Sequence, residues 1–284
     1  MDIGISTFVW VSPFSTDNFD VLHKAKDFGY DIIEVAVEDR SLIDFVKLKS
    51  ICDSIGLKIS VSGAFGLERD ISSTNEEFRA KGLAYIKDCI DIAHQLESPI
   101  FGGPFYSAVG KTRLVSKEQK QQERNWCLEN LDAATRYAQE QGVVLALEPL
   151  NRFETDMINT VDQALDLIGE IDSKYLQILL DTFHSNIEEK NIPNTIRKIG
   201  NKLVHIQGNE NDRGTPGSGH LDWSGIKEAL DEINYKGSIV IETFGSPSKE
   251  LARAASIWRP LAKSADHLAE KGGEFLRSIF KKNI

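Results

Sequence analysis

Cysteine is scarce: Cys52, Cys89 and Cys127 are the 3 thiols in 284 residues, and no two share a Cys-x-x-Cys spacing. An odd number without metal or redox spacing excludes a disulfide framework and a thiolate zinc site. The reading is buried free thiols in a reducing compartment. Proline is sparse as well, with 8 residues and no Pro-rich linker. No window offers the roughly 20 apolar residues that a membrane span requires. The opening MDIGISTFVW lacks the basic start and long apolar run of a secretory signal, so a cytoplasmic chain is expected. Positive charge is also in deficit: 33 Lys and Arg face 43 Asp and Glu, for a net charge of −10. An acidic surface repels phosphate backbones, so neither nucleic acid nor membrane is an expected partner.

What remains is an ordinary globular composition, 41% hydrophobic and 27% charged. Eight β-rich runs alternate with helical patterns. The runs are 2–10, 31–37, 58–65, 99–105, 143–150, 176–184, 203–208 and 238–244. Several are apolar almost throughout, as parallel strands covered by helices are. Between them, Leu83, Ile86, Ile90 and Ala93 share one helical face, and Cys127, Leu131, Ala134 and Ala138 share another. Gly29, Gly56, Gly142 and Gly237 each stand between a helix and the next strand, where a left-handed C-terminal glycine belongs. Eight such alternations predict a (β/α)8 TIM barrel of the α/β class. The rival, a doubly wound open sheet, would want a Gly-rich phosphate turn after the first strand. That strand runs instead into FVWVSPF. The whole chain, 1–284, reads as one domain in which 245–284 supply the last barrel helix and a helical tail interrupted at Pro260.

In a barrel, chemistry gathers where strands end and βα loops begin. Strand 5 ends in Glu148, followed by Arg152 and Glu154. Strand 6 ends in Asp181, followed by His184. The stretch LVHIQGNENDRG, 203–214, turns from apolar to polar and crowds His205, Gln207, Glu210 and Arg213 together. Strand 8 ends in Glu242. Converging buried carboxylates are costly without a cation, so this rim predicts a divalent metal. Oxygen-rich ligation suits Mn²⁺, Mg²⁺ or Co²⁺ better than structural zinc. Phe8 and Trp10 close strand 1, where their rings can stack on the apolar face of a ligand; Phe65, Phe105 and Tyr106 lie near the same rim. Glu34 ends strand 2 and can hydrogen-bond within the mouth. His23, His94 and His267 fall in helical patterns and read as surface or packing residues. His220 and Trp223 read as loop, and 117–124 as a solvated helix start.

The joint occurrence of LEPLNRFE at 147–154, LDTFHSNIEE at 180–189, HIQGNENDRGTPGSGH at 205–220 and IVIETF at 239–244 resembles the D-tagatose/D-psicose (ketose) 3-epimerases, which are xylose-isomerase-like TIM barrels. The resemblance covers the whole chain. It implies a carbohydrate isomerase with one divalent ion, Mn²⁺ first and Mg²⁺ or Co²⁺ next. Glu148 and Glu242 match a pair that both ligate the metal and exchange the C3 proton, and Asp181 matches a third ligand. Glu154, His184 and Arg213 match side chains that hold the sugar. The family's fourth ligand is the second histidine of a His-x-His on strand 7. Here that position is Gln207, and His205 matches the first histidine. An amide oxygen is an acceptable donor to a hard cation, so Gln207 is expected to ligate, directly or through one water. His205, on the same side of the strand by its period of 2, sits one layer deeper and is expected to support the site by hydrogen bonding.

Inverting C3 means removing a proton beside a carbonyl and returning one to the other face through an enediolate, which two opposed glutamates accomplish. The rim's arginines are scattered, which points to a free sugar over a sugar phosphate. An aldose–ketose isomerase on the same barrel is the nearest alternative. A non-catalytic sugar-binding barrel with a weakened metal site has Gln207 as its support. A His-rich zinc endonuclease of the same superfamily is disfavoured by 6 histidines and the negative charge. The Ala-, Leu- and Ile-rich tail offers a surface for a homo-oligomer, dimer or tetramer.

Overall fold

Eight parallel strands pair in chain order and close on themselves in the computed structural model of the chain, which describes residues 1–245 and 249–281. They are β1 Asp2–Ser6, β2 Ile32–Val37, β3 Lys58–Gly63, β4 Ile100–Gly103, β5 Val144–Leu147, β6 Leu176–Asp181, β7 Leu203–Gln207 and β8 Ser238–Ile241. The β1–β8 pairing completes the barrel, with Ile3 opposite Ile239. The helices are α1 Asp20–Asp27, α2 Phe45–Ile55, α3 Glu76–Gln95, α4 Lys117–Gln141, α5 Val161–Ile171, α6 Thr182–Glu188, α7 Ile192–Ile199, α8 Trp223–Glu232, α9 Lys249–Ala254 and α10 Ala265–Phe280. The fold is a (β/α)8 TIM barrel. No helix among the described residues is long and apolar enough to cross a membrane.

Local chemistry sets the helix starts. Asp44, Asn75, Ser116, Thr160, Asn191, Asp222 and Ser264 each accept a first-turn backbone N–H at an N-cap. The expected helical faces are the buried ones: Ile86, Ile90 and Ala93 on α3, and Cys127, Leu131, Ala134 and Ala138 on α4. All three cysteines are free and buried, and burial pushes each thiol up to about 12. His23 and His94 are exposed, and His267 is half-buried.

Several sequence boundaries shift. The first strand ends at Ser6, because its hydroxyl accepts the Phe8 N–H and winds Thr7–Val9 into a 3₁₀ turn. The sixth ends at Asp181, whose carboxylate accepts the Phe183 N–H at 2.6 Å and starts α6. Gly56 and Gly142 are left-handed helix caps, as expected, and Gly29 follows α1 at φ +81°. Gly237 is not left-handed. Asn234 takes the positive φ after α8, and Gly237 is there for space: a Cβ would lie 2.5 Å from the Val204 carbonyl. The segment 117–124 is less solvated than its charge suggests, since Glu123 is fully buried. Of the tail expected over 245–284, α10 packs on β1, β8 and α8, and Pro260 lies between α9 and α10. Residues 246–248 and 282–284 lie outside the described residues.

Candidate active site

A cavity of about 270 Å³ opens at the strand ends. Phe8, Phe65, Phe244, Leu251 and Ala255 line its apolar side; Glu148, Glu154, His184, Arg213 and Glu242 line its polar side. A larger depression, about 600 Å³, lies at the opposite end among the strand starts, beside Asp2, Lys58, Pro99 and Ser238. There Lys58 pairs with Asp2 and Lys49 with Asp53 and Glu97, so no buried acid cluster converges on it. The chemistry belongs to the smaller cavity.

Its acids are buried: Glu148 is 5% exposed, Asp181 1% and Glu242 8%. Burial, then the charges of Glu242 and Asp181, raise the proton affinity of Glu148 well above the usual carboxylate range. Burial, then Glu34 and Asp181, do the same to Glu242. Donor atoms of Glu148, Asp181 and His184 lie within 4.8 Å of one another; Glu242 stands outside that cluster. Asn209, which sequence reasoning passed over, links the two sides. Its Nδ2 donates to Asp181 Oδ2 at 3.0 Å, and its Oδ1 accepts the Glu242 backbone N–H at 3.0 Å. Its one sequence signal is a polar residue just after a strand.

His184 reaches the same acids. Its Nδ1 faces the Asn151 backbone N–H at 3.0 Å and must accept there. Burial lowers the proton affinity of the ring. Its Nε2 lies 3.5 Å from Glu148 Oε1 and 3.9 Å from Asp181 Oδ2. Arg213 Nη2 lies 3.0 Å from the same Nε2, so both ring nitrogens face N–H donors.

Arg213 is held on every side. Its Nη1 donates to Glu154 at 3.0 Å, and its guanidinium lies 4.5 Å from the Phe183 ring centre and 4.9 Å from that of Phe244. Burial works against ionisation of Glu154, and the Arg213 charge overrides it, leaving Glu154 below the usual range. The Arg213 backbone is left-handed, φ 65°, a strain the loop holds in place. Glu210 organises that loop: it accepts from the backbone of Gly217 and Leu221 and from Trp223 Nε1. Glu210 and Trp223 thus shape the loop, while His220 is exposed.

The structure separates other candidates. Phe8 lines the cavity, whereas Trp10 does not: its indole N–H donates to Asp266 and its ring stacks on Phe28. Phe105 packs against Phe65 and Phe101, and Tyr106 donates to the Ile158 carbonyl, so both are core. Arg152 pairs with Glu188 outside the cavity. On β2, Glu34 accepts from His205 Nε2 at 2.7 Å and from Gln207 Nε2 at 3.0 Å. Gln207 Oε1 is buried without a hydrogen-bond partner among the described residues.

The residues fit a hard divalent cation. Three buried carboxylates face one buried arginine, and an orphaned amide oxygen adds a neutral oxygen donor on the strand beside Asp181. An uncompensated cluster of this kind is expensive unless a cation neutralises it.

Residues 22–278 match the family described as xylose isomerase-like TIM barrel. The chain belongs to that family. Within it, the chain is 33% identical to a probable ketose 3-epimerase of Synechocystis, across 99% of this chain and 97% of that one. It is 30% identical to a D-psicose 3-epimerase of Enterocloster bolteae, across 99% and 96%. The structure of D-psicose 3-epimerase with D-tagatose from Clostridium cellulolyticum superposes with a TM-score of 0.89 at 28% identity, covering 99% of each chain. The chain is a member of the ketose 3-epimerases, enzymes of the isomerase class.

Proposed function

We propose that this epimerase inverts C3 of a free ketose, with Glu148 and Glu242 as its two proton carriers. The observation that carries the reading is this pair. They rise from non-adjacent strands, line one cavity, and are both held at raised proton affinity by burial and by the charges of neighbouring carboxylates. One glutamate takes the C3 proton and the other returns a proton to the opposite face, so the electron pair rests on an enediolate between the two transfers. Arg213 Nη2, beside His184, donates to the oxygens where that charge develops. Glu154 holds Arg213 in place, and the apolar wall excludes competing water.

Glu148, Asp181, Glu242 and Gln207 Oε1 would hold the cation, with Mn²⁺ the best match to an all-oxygen set. When bound, such an ion supplies Lewis-acid stabilisation of negative charge on oxygen. Phe8 supplies an apolar face for the sugar. Arg213, already paired with Glu154, is the one cation among the described residues lining the cavity, which favours an unphosphorylated sugar. We further propose a cytoplasmic enzyme, a chain folded as one domain over 1–284, and assembly into a homo-oligomer.

The deciding experiment incubates the Mn²⁺-loaded protein with a panel of ketoses and ketose phosphates in D₂O and follows deuterium by NMR. Uptake at C3 of a free ketose with formation of its epimer is expected. Exchange confined to C1 with aldose formation would establish the isomerase instead, and no exchange with any sugar would leave a binding barrel.

A further inference from the structure

Gln207 poses a problem that a histidine at its position does not. A carboxamide has a donor end and an acceptor end of nearly the same shape, and only the oxygen ligates a cation. Something must choose the end. The register places Gln207 opposite Asp181, so both side chains leave the sheet on the same side. The amide nitrogen then meets Glu34 Oε1 at 3.0 Å.

Glu34 is fully buried, and its other oxygen is engaged by His205 Nε2 at 2.7 Å. Ser238 Oγ lies 3.1 Å from His205 Nδ1. These contacts have one consistent polarity: Ser238 O–H donates to Nδ1, and His205 Nε2–H donates to Glu34. A carboxylate offers only acceptors, so turning the amide over would set oxygen against oxygen in a dry interior. That arrangement forfeits a charge-assisted hydrogen bond and adds a repulsion. The result is the observed orphan, Gln207 Oε1, a buried acceptor whose partner is not protein.

We infer that Glu34 is a positioning residue that locks the Gln207 amide with its oxygen presented to the cation, making a ligand of a side chain that would otherwise be ambiguous. This rests on the reading that Gln207 ligates. His205 serves the same end by fixing Glu34 from below. The buried trio on β2 and β7 is thereby one device for presenting the amide oxygen.

The test is Mn²⁺ affinity, read by calorimetry and by the free-ion EPR signal, on the parent, Q207A, E34Q and the E34Q/Q207A double variant. A glutamine at 34 offers both a donor and an acceptor, so the Gln207 amide loses its enforced orientation. Q207A is expected to weaken Mn²⁺ about tenfold or more, and E34Q by a similar factor, the range for outer residues that orient metal ligands. In the Q207A background, E34Q should change affinity less than about twofold, because the amide it acts through is gone. An equal loss in both backgrounds would reduce Glu34 to a distant charge and overturn the inference. If E34Q does not fold, E34D tests the same point: it keeps the charge but withdraws the acceptor, and parent-like Mn²⁺ binding by E34D overturns the inference. A parent that binds no Mn²⁺, or a Q207A that binds it as the parent does, removes the metal reading itself. Weakening in Q207A with none in E34Q removes the positioning role alone.

Discussion

Glu148 and Glu242 sit in surroundings that resist ionisation, and in the proposed mechanism each has work that its isosteric amide cannot do. Glu148→Gln and Glu242→Gln should each lower turnover by about 10³-fold, within the range for one general acid–base step. Both variants should keep the parent's circular dichroism. A ketose turnover assay within tenfold of the parent in either one would end the two-base account. Arg213 plays a different part. It touches Glu154 and His184, and its charge balances the acids without belonging to the ligand set. Arg213→Ala should lower turnover and raise KM while metal content, measured by mass spectrometry, stays at the parent's level. Loss of the ion on this change would place Arg213 in the metal's support instead.

Three loops converge on Glu154 at the scale of the elements. Lys111, from the loop after β4, is buried against Asp70 of the loop after β3 at 2.7 Å. Arg113 reaches Glu123 at 2.7 Å and Asp156 at 3.0 Å, and Lys120 reaches Asp156 at 2.6 Å. The Gly110 N–H donates to the Glu154 carbonyl, so this network sets the backbone from which the Arg213 anchor projects. Burial opposes ionisation of Glu123 and Asp156, but hydrogen bonds from Arg113, with Gln119 and Lys120, override it and hold both below the usual carboxylate range. A depressed folded-state pKa stabilises above the unfolded value, about 4, and that stability is lost as pH falls through the depressed one. Arg113→Met should therefore lower the melting temperature at neutral pH and narrow its gap to the parent below about pH 4. Parallel melting curves from pH 7 to pH 2, with a constant gap, would contradict the assignment.

For the whole molecule, the closed barrel brings acids from β5, β6 and β8 to one mouth, and an ion held there, as proposed, links binding to folding. Mn²⁺ at about a hundred times its dissociation constant should then add about 2.7 kcal/mol to stability. In a chain of this size that is about 5 °C in melting temperature. Chelator should reverse the shift. A melting temperature indifferent to both Mn²⁺ and chelator would mean that protonation and Arg213 compensate the acids without an ion.

Much of this was legible along the chain. Alternating apolar runs and capped helices specify a barrel because strand and helix periods are local properties. An acid just after an apolar run, as at Glu148, Asp181 and Glu242, marks the rim for the same reason. The ends of β1 and β6 were misplaced because Ser6 and Asp181 turn their side chains back onto the following backbone, a competition that apolar patterning does not register. Other roles depended on partners far away in sequence. Trp10 is held away from the cavity by Asp266, 256 residues on, and Glu210 was taken up by its own loop. His184 was fixed by Asn151, and Asn209 became the link between Asp181 and Glu242. Sequence alone could name Gln207 as the odd residue in its motif. Only closure of the barrel, which sets Glu34 against it from 173 residues away, decided which end of its amide faces the carboxylate and which is left for a cation.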